Sequence, residues 1–258
     1  MIIKQPMYYP PGDSDRLLHI YLPDEYYETE ERYPVMYFFD GHNLFFDEDA
    51  TYGTCWGLKT FLDHWDKKII VVGMECSHKD RERLSEYCPY NRHFLGKSIN
   101  GRGKETFDWI IREIKPMIDG TYRTWSHREA TGIGGSSMGG LMSMYGIIAH
   151  NDIFSKAACV STGLCWNGVN LRRDLKQAQL SPDTRIFISW GETESGPVPA
   201  GGNAEYDSKE SRAARKFEQE LQAKQARTCM FFQPGGRHCE ADWAKQVPLF
   251  MDWLWLEP

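Results

Sequence analysis

The chain has 258 residues, 30 Lys plus Arg against 36 Asp plus Glu, a formal net charge of −6, and 41% hydrophobic residues. That apolar content excludes disorder, and 23 Gly and 13 Pro scattered without a period exclude collagen-like or low-complexity architecture. Mild acidity without a Lys/Arg-rich run argues against a nucleic-acid partner, and no stretch of about 18 consecutive apolar residues offers a membrane span.

The N-terminus, MIIKQPMYYPPGDSD, has no basic segment followed by a long apolar run, so no secretory signal is expected. Leu17–Leu22 reads as an antiparallel strand. Short apolar runs follow at Val35–Phe39, Ile69–Val72, Ala130–Ile133, Ala157–Val160, Ile186–Trp190 and Cys229–Phe232. They lack polar alternation, as strands buried on both faces of a parallel sheet do. Helical spacing links Phe107, Ile110, Ile111, Ile114 and Met117, and again Ala214, Phe217 and Leu221. Ala244, Val247, Met251 and Leu254 mark a last helix that Pro248 should kink or start late. Thr193 to Asp207, rich in Gly, Pro and small residues, reads as a loop at the carboxyl edge of the sheet. The alternation predicts one doubly wound α/β domain over residues 1–258. Seven scattered cysteines (Cys55, Cys76, Cys88, Cys159, Cys165, Cys229 and Cys239) suit reduced thiols and a cytoplasmic location.

The most informative string runs from Gly132 to Gly140, where Gly135-Ser136-Ser137-Met138-Gly139 matches G-x-S-x-G between an apolar strand and a helix pattern. Glycines at −2 and +2 let strand and helix approach, so the Ser137 hydroxyl projects at the sheet edge. A phosphate loop is the competing reading, but G-x-x-x-x-G-K-[ST] is absent and Gly132-x-Gly134 lacks a third spaced glycine. A serine hydroxyl needs a base, and with this motif the partners follow in the order serine, acid, histidine. Only His150 and His238 follow Ser137. His150 ends the helix that Ser137 begins, roughly 20 Å away, which leaves His238 in the loop after the last strand. The acid belongs after Ile186–Trp190, where spacing leaves Glu192 and Glu194 open, with Asp207 and Asp183 more distant. Backbone amides of Met138 and His42, the latter in Asp40-Gly41-His42-Asn43, are the expected oxyanion donors.

Three strings, YPVMYFFDGHNLFFD at Tyr33–Asp47, GGSSMGG at Gly134–Gly140 and GGRHCEADW at Gly235–Trp243, together resemble the Putative esterase family. Its members include S-formylglutathione hydrolase (esterase D), feruloyl and acetyl-xylan carbohydrate esterases, and siderophore trilactone esterases. The resemblance implies an α/β-hydrolase fold: a mostly parallel central sheet with helices on both faces and an N-terminal antiparallel strand or hairpin. It also implies Ser137 as nucleophile, His238 as base, the His42 and Met138 amides as oxyanion donors, and Glu194, three residues past Gly191, as the acid. The activity implied is a serine carboxylester hydrolase acting on small or carbohydrate-linked acyl esters through an acyl-enzyme. An acyltransferase using the same triad is the alternative, as is a siderophore trilactone or S-formylglutathione (thio)esterase. Of the aromatics near the site loops, Trp56 and Trp166 are candidates for a substrate pocket, with core packing the competing role. No cofactor is expected. Nor is a metal, because Cys76-Ser-His78 and His238-Cys239 are only short pairs and neither C-x-x-C nor H-E-x-x-H occurs.

Overall fold

A computed structural model describes residues 1–79, 81–94, 97–194 and 196–256. The chain forms two compact units, Met1–Gly132 and Ile133–Pro258.

In the first unit, β1 (Ile2–Tyr9) and β2 (Ser14–Tyr21) form an antiparallel hairpin in register from Ile2 opposite Tyr21 to Tyr9 opposite Ser14. β1 is an edge strand, which explains how it tolerates Pro6 and exposes Lys4, two residues that blunt unwanted pairing. β3 (Val35–Phe39) and β4 (Ile70–Met74) pair in parallel and are buried at every position. Such strands read as continuous apolar runs because both faces are covered. The crossover between them carries α1 (Leu58–Asp63). After β4 come α2 (Glu82–Glu86), a small hairpin of β5 (Arg92–Phe94) and β6 (Lys97–Ile99), and then α3 (Gly103–Trp109) and α4 (Lys115–Thr121). A π-turn at Ile110–Ile114 joins α3 to α4. Its cause is Pro116, which has no N–H and crowds the carbonyl four residues back.

β7 (Thr131–Ser136) leads into the second unit. It is followed by α5 (Met138–Ala149), β8 (Lys156–Val160), α6 (Leu164–Gln177), β9 (Arg185–Gly191) and the short α7 (Ala204–Asp207). Last come α8 (Lys209–Gln222), β10 (Arg227–Gln233), α9 (Glu240–Ala244) and α10 (Val247–Trp255). The strand order is β1-β2-β4-β3-β7-β8-β9-β10, a mostly parallel eight-stranded sheet with the antiparallel hairpin at its edge. α5 is buried from Gly139 through Ile148. A helix apolar all round belongs inside a core, and each large side chain there contributes about 1.5–3 kcal/mol by leaving water. α8 is amphipathic instead: Ser208 caps it through the Ser211 amide, and Ala214, Phe217 and Leu221 face inward. Pro248 sits in the first turn of α10, where its missing N–H costs nothing, and so the terminal helix is split from α9 rather than kinked.

No helix among the described residues is long and apolar enough to cross a membrane.

Candidate active site

Ser137, Glu194 and His238 follow the carboxyl ends of β7, β9 and β10, where open α/β sheets gather their chemistry. Ser137 stands alone between β7 and α5 at φ 56°, ψ −119°, a backbone conformation costly for any side chain. The turn closes because its glycines have no Cβ. One on Gly135 would lie 2.8 Å from the Gly139 carbonyl carbon, and one on Gly140 would lie 2.7 Å from the Val160 oxygen. Val160 also accepts the Ser137 amide at 2.9 Å, which ties the elbow to β8. Met138 opens α5, so its N–H is among the first-turn amides a helix leaves without an internal acceptor.

The Ser137 hydroxyl lies 2.8 Å from His238 Nε2, and His238 Nδ1 is hydrogen-bonded to Glu194 Oε2. A carboxylate only accepts, so Nδ1 carries the proton and Nε2 offers its lone pair to the serine. That is the arrangement in which an imidazole can take a proton from a hydroxyl while a carboxylate fixes its tautomer. Glu194 is itself oriented: its other oxygen accepts from the Ser161 hydroxyl at 2.7 Å and from the Gly191 amide. Ser161 Oγ in turn accepts from Trp243 Nε1 at 2.9 Å, and the Trp243 ring stands edge-on to His238 at 4.9 Å between centroids.

The loops that carry Glu194 and His238 are stitched together. The Thr193 amide and hydroxyl both donate to the Gly236 carbonyl, at 3.0 and 2.8 Å. A Cβ on Gly191 would fall 2.5 Å from that same oxygen, so only glycine admits the approach. Glu192, the other candidate acid, is turned elsewhere: it is exposed and accepts the Gly235 amide at 2.7 Å. Asp242 holds the base loop from the other side, accepting from the Arg237 amide and side chain, both at 2.9 Å, and from Lys245 at 2.6 Å. These cations, Arg237 above all, keep its carboxyl well below the usual carboxylate range. Ser161, Trp243, Thr193 and Asp242 escaped the sequence reading. Trp243 and Asp242 lie inside the histidine string, but their partners are visible only in three dimensions.

The remaining sequence candidates are distributed as follows. His150 ends α5 beside Tyr145, with ring centroids 6.1 Å apart, and takes no part in the Ser137 cluster. His42 belongs to the first unit, on the turn Gly41–Asn43, with Nε2 2.9 Å from Thr51 Oγ1. Burial lowers its pKa, Asp40 pulling the other way and His78 reinforcing the drop. Trp56 is 4% exposed and packs edge-on to Phe38 at 6.1 Å. The Trp166 side chain lies outside the described residues.

The model of the Putative esterase family matches residues 13–251. The chain is 23% identical over 246 residues to the uncharacterized protein YbbA of Bacillus subtilis, covering 94% of this chain and 93% of that one. Among solved structures it resembles an IroE-like serine hydrolase from Shewanella oneidensis, with a TM-score of 0.73 and 19% identity over 98% of this chain and 81% of that one. It also resembles the siderophore hydrolase EstA of Aspergillus nidulans, with a TM-score of 0.70 and 15% identity over 96% and 93%. The family match spans nearly the whole chain, β2 to α10, and so the chain belongs to the Putative esterase family and is a carboxylic ester hydrolase.

Proposed function

We propose that the chain hydrolyses small or carbohydrate-linked acyl esters through an acyl-enzyme on Ser137. The serine oxygen attacks the ester carbonyl while His238 Nε2 takes its proton, and Glu194 stabilises the imidazolium that forms. The Met138 amide, with the His42 amide as the second donor expected from the sequence, neutralises the oxyanion. His238 then hands the proton to the departing alcohol. Water, deprotonated by the same imidazole, releases the acid and restores the serine. The observation that carries this reading is the hydrogen-bonded series Ser137–His238–Glu194. Half exposure of the imidazole, at 45%, supports entry of an ester from solvent. Seven cysteines, an odd number scattered along the chain, support a reducing, cytoplasmic setting.

The test is a panel of p-nitrophenyl esters of increasing acyl length, feruloyl esters, acetylated xylan and a trilactone siderophore, run with wild type and Ser137→Ala. A short-chain aryl ester should be cleaved, and Ser137→Ala should reduce kcat/KM on the order of 10⁴-fold. Undiminished hydrolysis by the variant, or failure of a serine-directed phosphonate to label position 137, overturns the mechanism. Ester products appearing when an alcohol acceptor is added would move the reading to acyl transfer.

A further inference from the structure

We propose that the first unit carries a site for one divalent transition ion of the zinc class, held by His42, Glu75 and His78. β3 and β4 are parallel neighbours with Phe39 opposite Met74, so the residues just past their carboxyl ends meet. His42 comes from the turn after β3, Glu75 directly follows β4, and His78 lies three residues further on. One ligand atom from each of the three falls within 4.8 Å of the other two. The two imidazole rings are 4.7 Å apart between centroids.

Three features point to a ligand rather than to a closed hydrogen-bond cluster. First, His42 Nδ1 is buried and has no hydrogen-bond partner among the described residues. Nε2 of the same ring faces the Thr51 hydroxyl at 2.9 Å. A proton on Nε2, donated to Thr51, leaves the Nδ1 lone pair free for a metal. Second, Glu75 is supported as ligating carboxylates are. His19 Nε2, on β2, contacts its Oε1 at 2.7 Å, leaving Oε2 turned toward His78 Nε2 at 3.1 Å. Third, access is open, because the His78 side chain is 57% exposed.

Two imidazoles and one carboxylate are a donor set for zinc, cobalt or nickel rather than for calcium or magnesium. Bonds of about 2.0–2.1 Å in a tetrahedron place ligand atoms about 3.3 Å apart, so the cluster must tighten on binding. Three protein ligands leave a fourth position for water. Motif scanning misses the set because His42 is distant in sequence and Glu75-x-x-His78 is an open loop, not a helix.

The readout is metal binding, independent of the esterase reading. Tag-free full-length protein is stripped with chelator and titrated with Zn²⁺ against a chromophoric competitor, and with Co²⁺ by visible absorption. Wild type should bind one equivalent at micromolar affinity or better, with the intense bands of tetrahedral cobalt. His78→Ala and Glu75→Gln should each weaken binding at least 10–100-fold. Thermal melting of the metal-free proteins shows that both variants are folded, and the exposed His78 makes its variant safe in this respect. Absence of stoichiometric binding by wild type, or binding that survives both substitutions, overturns the site.

Discussion

Two turns in this molecule solve one problem in opposite ways. Each follows a buried parallel strand and each sets a non-glycine residue at positive φ: Asp40 at 58° after β3 and Ser137 at 56° after β7. At Asp40 the side chain is the fastener. Its carboxylate takes a two-pronged pair from Arg83, at 2.7 and 2.6 Å, and the Cys76 thiol at 3.5 Å. At Ser137 the glycines before and after let the chain close tightly, and the hydroxyl is left for His238. A side chain that holds its own turn together cannot also react. The difference separates a turn closed by an ion pair from one whose side chain stays available.

The largest effect that could break this contrast concerns the acid. Glu194→Ala should cost about 10⁴-fold in kcat/KM, from lost imidazole orientation, and about 1–3 kcal/mol of stability, because the Ser161 hydroxyl and the Gly191 amide lose their acceptor. Steady-state kinetics on a short-chain ester checks it, and a near-wild-type rate would remove Glu194 from the mechanism.

Next is Arg83→Gln, which leaves the Asp40 carboxylate buried without its partner and should cost about 2–4 kcal/mol in denaturant unfolding. Desolvation would raise the Asp40 pKa, but Arg83 outweighs it and holds the group below its ordinary value. A depressed native pKa gives stability that is complete above the unfolded value, about 3.9, and disappears as pH falls through the native one. The gap between wild type and variant should therefore be widest at neutral pH and close in acid. A gap independent of pH would mean that the pair does not hold the turn.

Smaller still, Ser137→Gly should stabilise the fold by about 1 kcal/mol while abolishing turnover, because it relieves strain without removing a structural tie. Asp40→Gly relieves less strain, because aspartate tolerates the left-handed region that Asp40 occupies, and removes the Arg83 tie, so it should destabilise; paired melting curves separate the two. The smallest change expected is for Glu192→Ala, which frees the Gly235 amide at the rim and should alter kcat/KM only a few-fold. A loss exceeding that of Glu194→Ala would exchange their roles.

Much of the fold was legible because the central strands are buried on both faces and betray themselves as apolar runs. Val35–Phe39 matches its strand end to end, whereas the run Ala130–Ile133 corresponds to a strand that starts one residue later, at Thr131, and continues through Gly134 and Gly135 to Ser136, since glycine carries no apolar signal. β1 was invisible: Lys4 and Pro6 interrupt its pattern, and only its place at the sheet edge permits them. The interruption between α9 and α10 was foreseeable from Pro248, which acts as a helix start. At the site, Ser137 and His238 stood out by motif and order, but two glutamates two residues apart could not be separated by spacing. What distinguishes them is the direction in which the β9 loop turns, set by Thr193 on Gly236. Ser161 was illegible for another reason: its partners Glu194 and Trp243 lie 33 and 82 residues away. Distance along the chain likewise hid the meeting of His42 with Glu75 and His78.

The enclosure of α5 has a consequence for how the enzyme should fail on heating. Amides along Leu141–Ile148 have no route to deuterium short of cooperative opening of the unit that contains them. The mount of the proposed nucleophile therefore has no local fraying mode. Catalytic inactivation and core melting should coincide on a temperature ramp, with no window in which an ordered protein has lost a working serine.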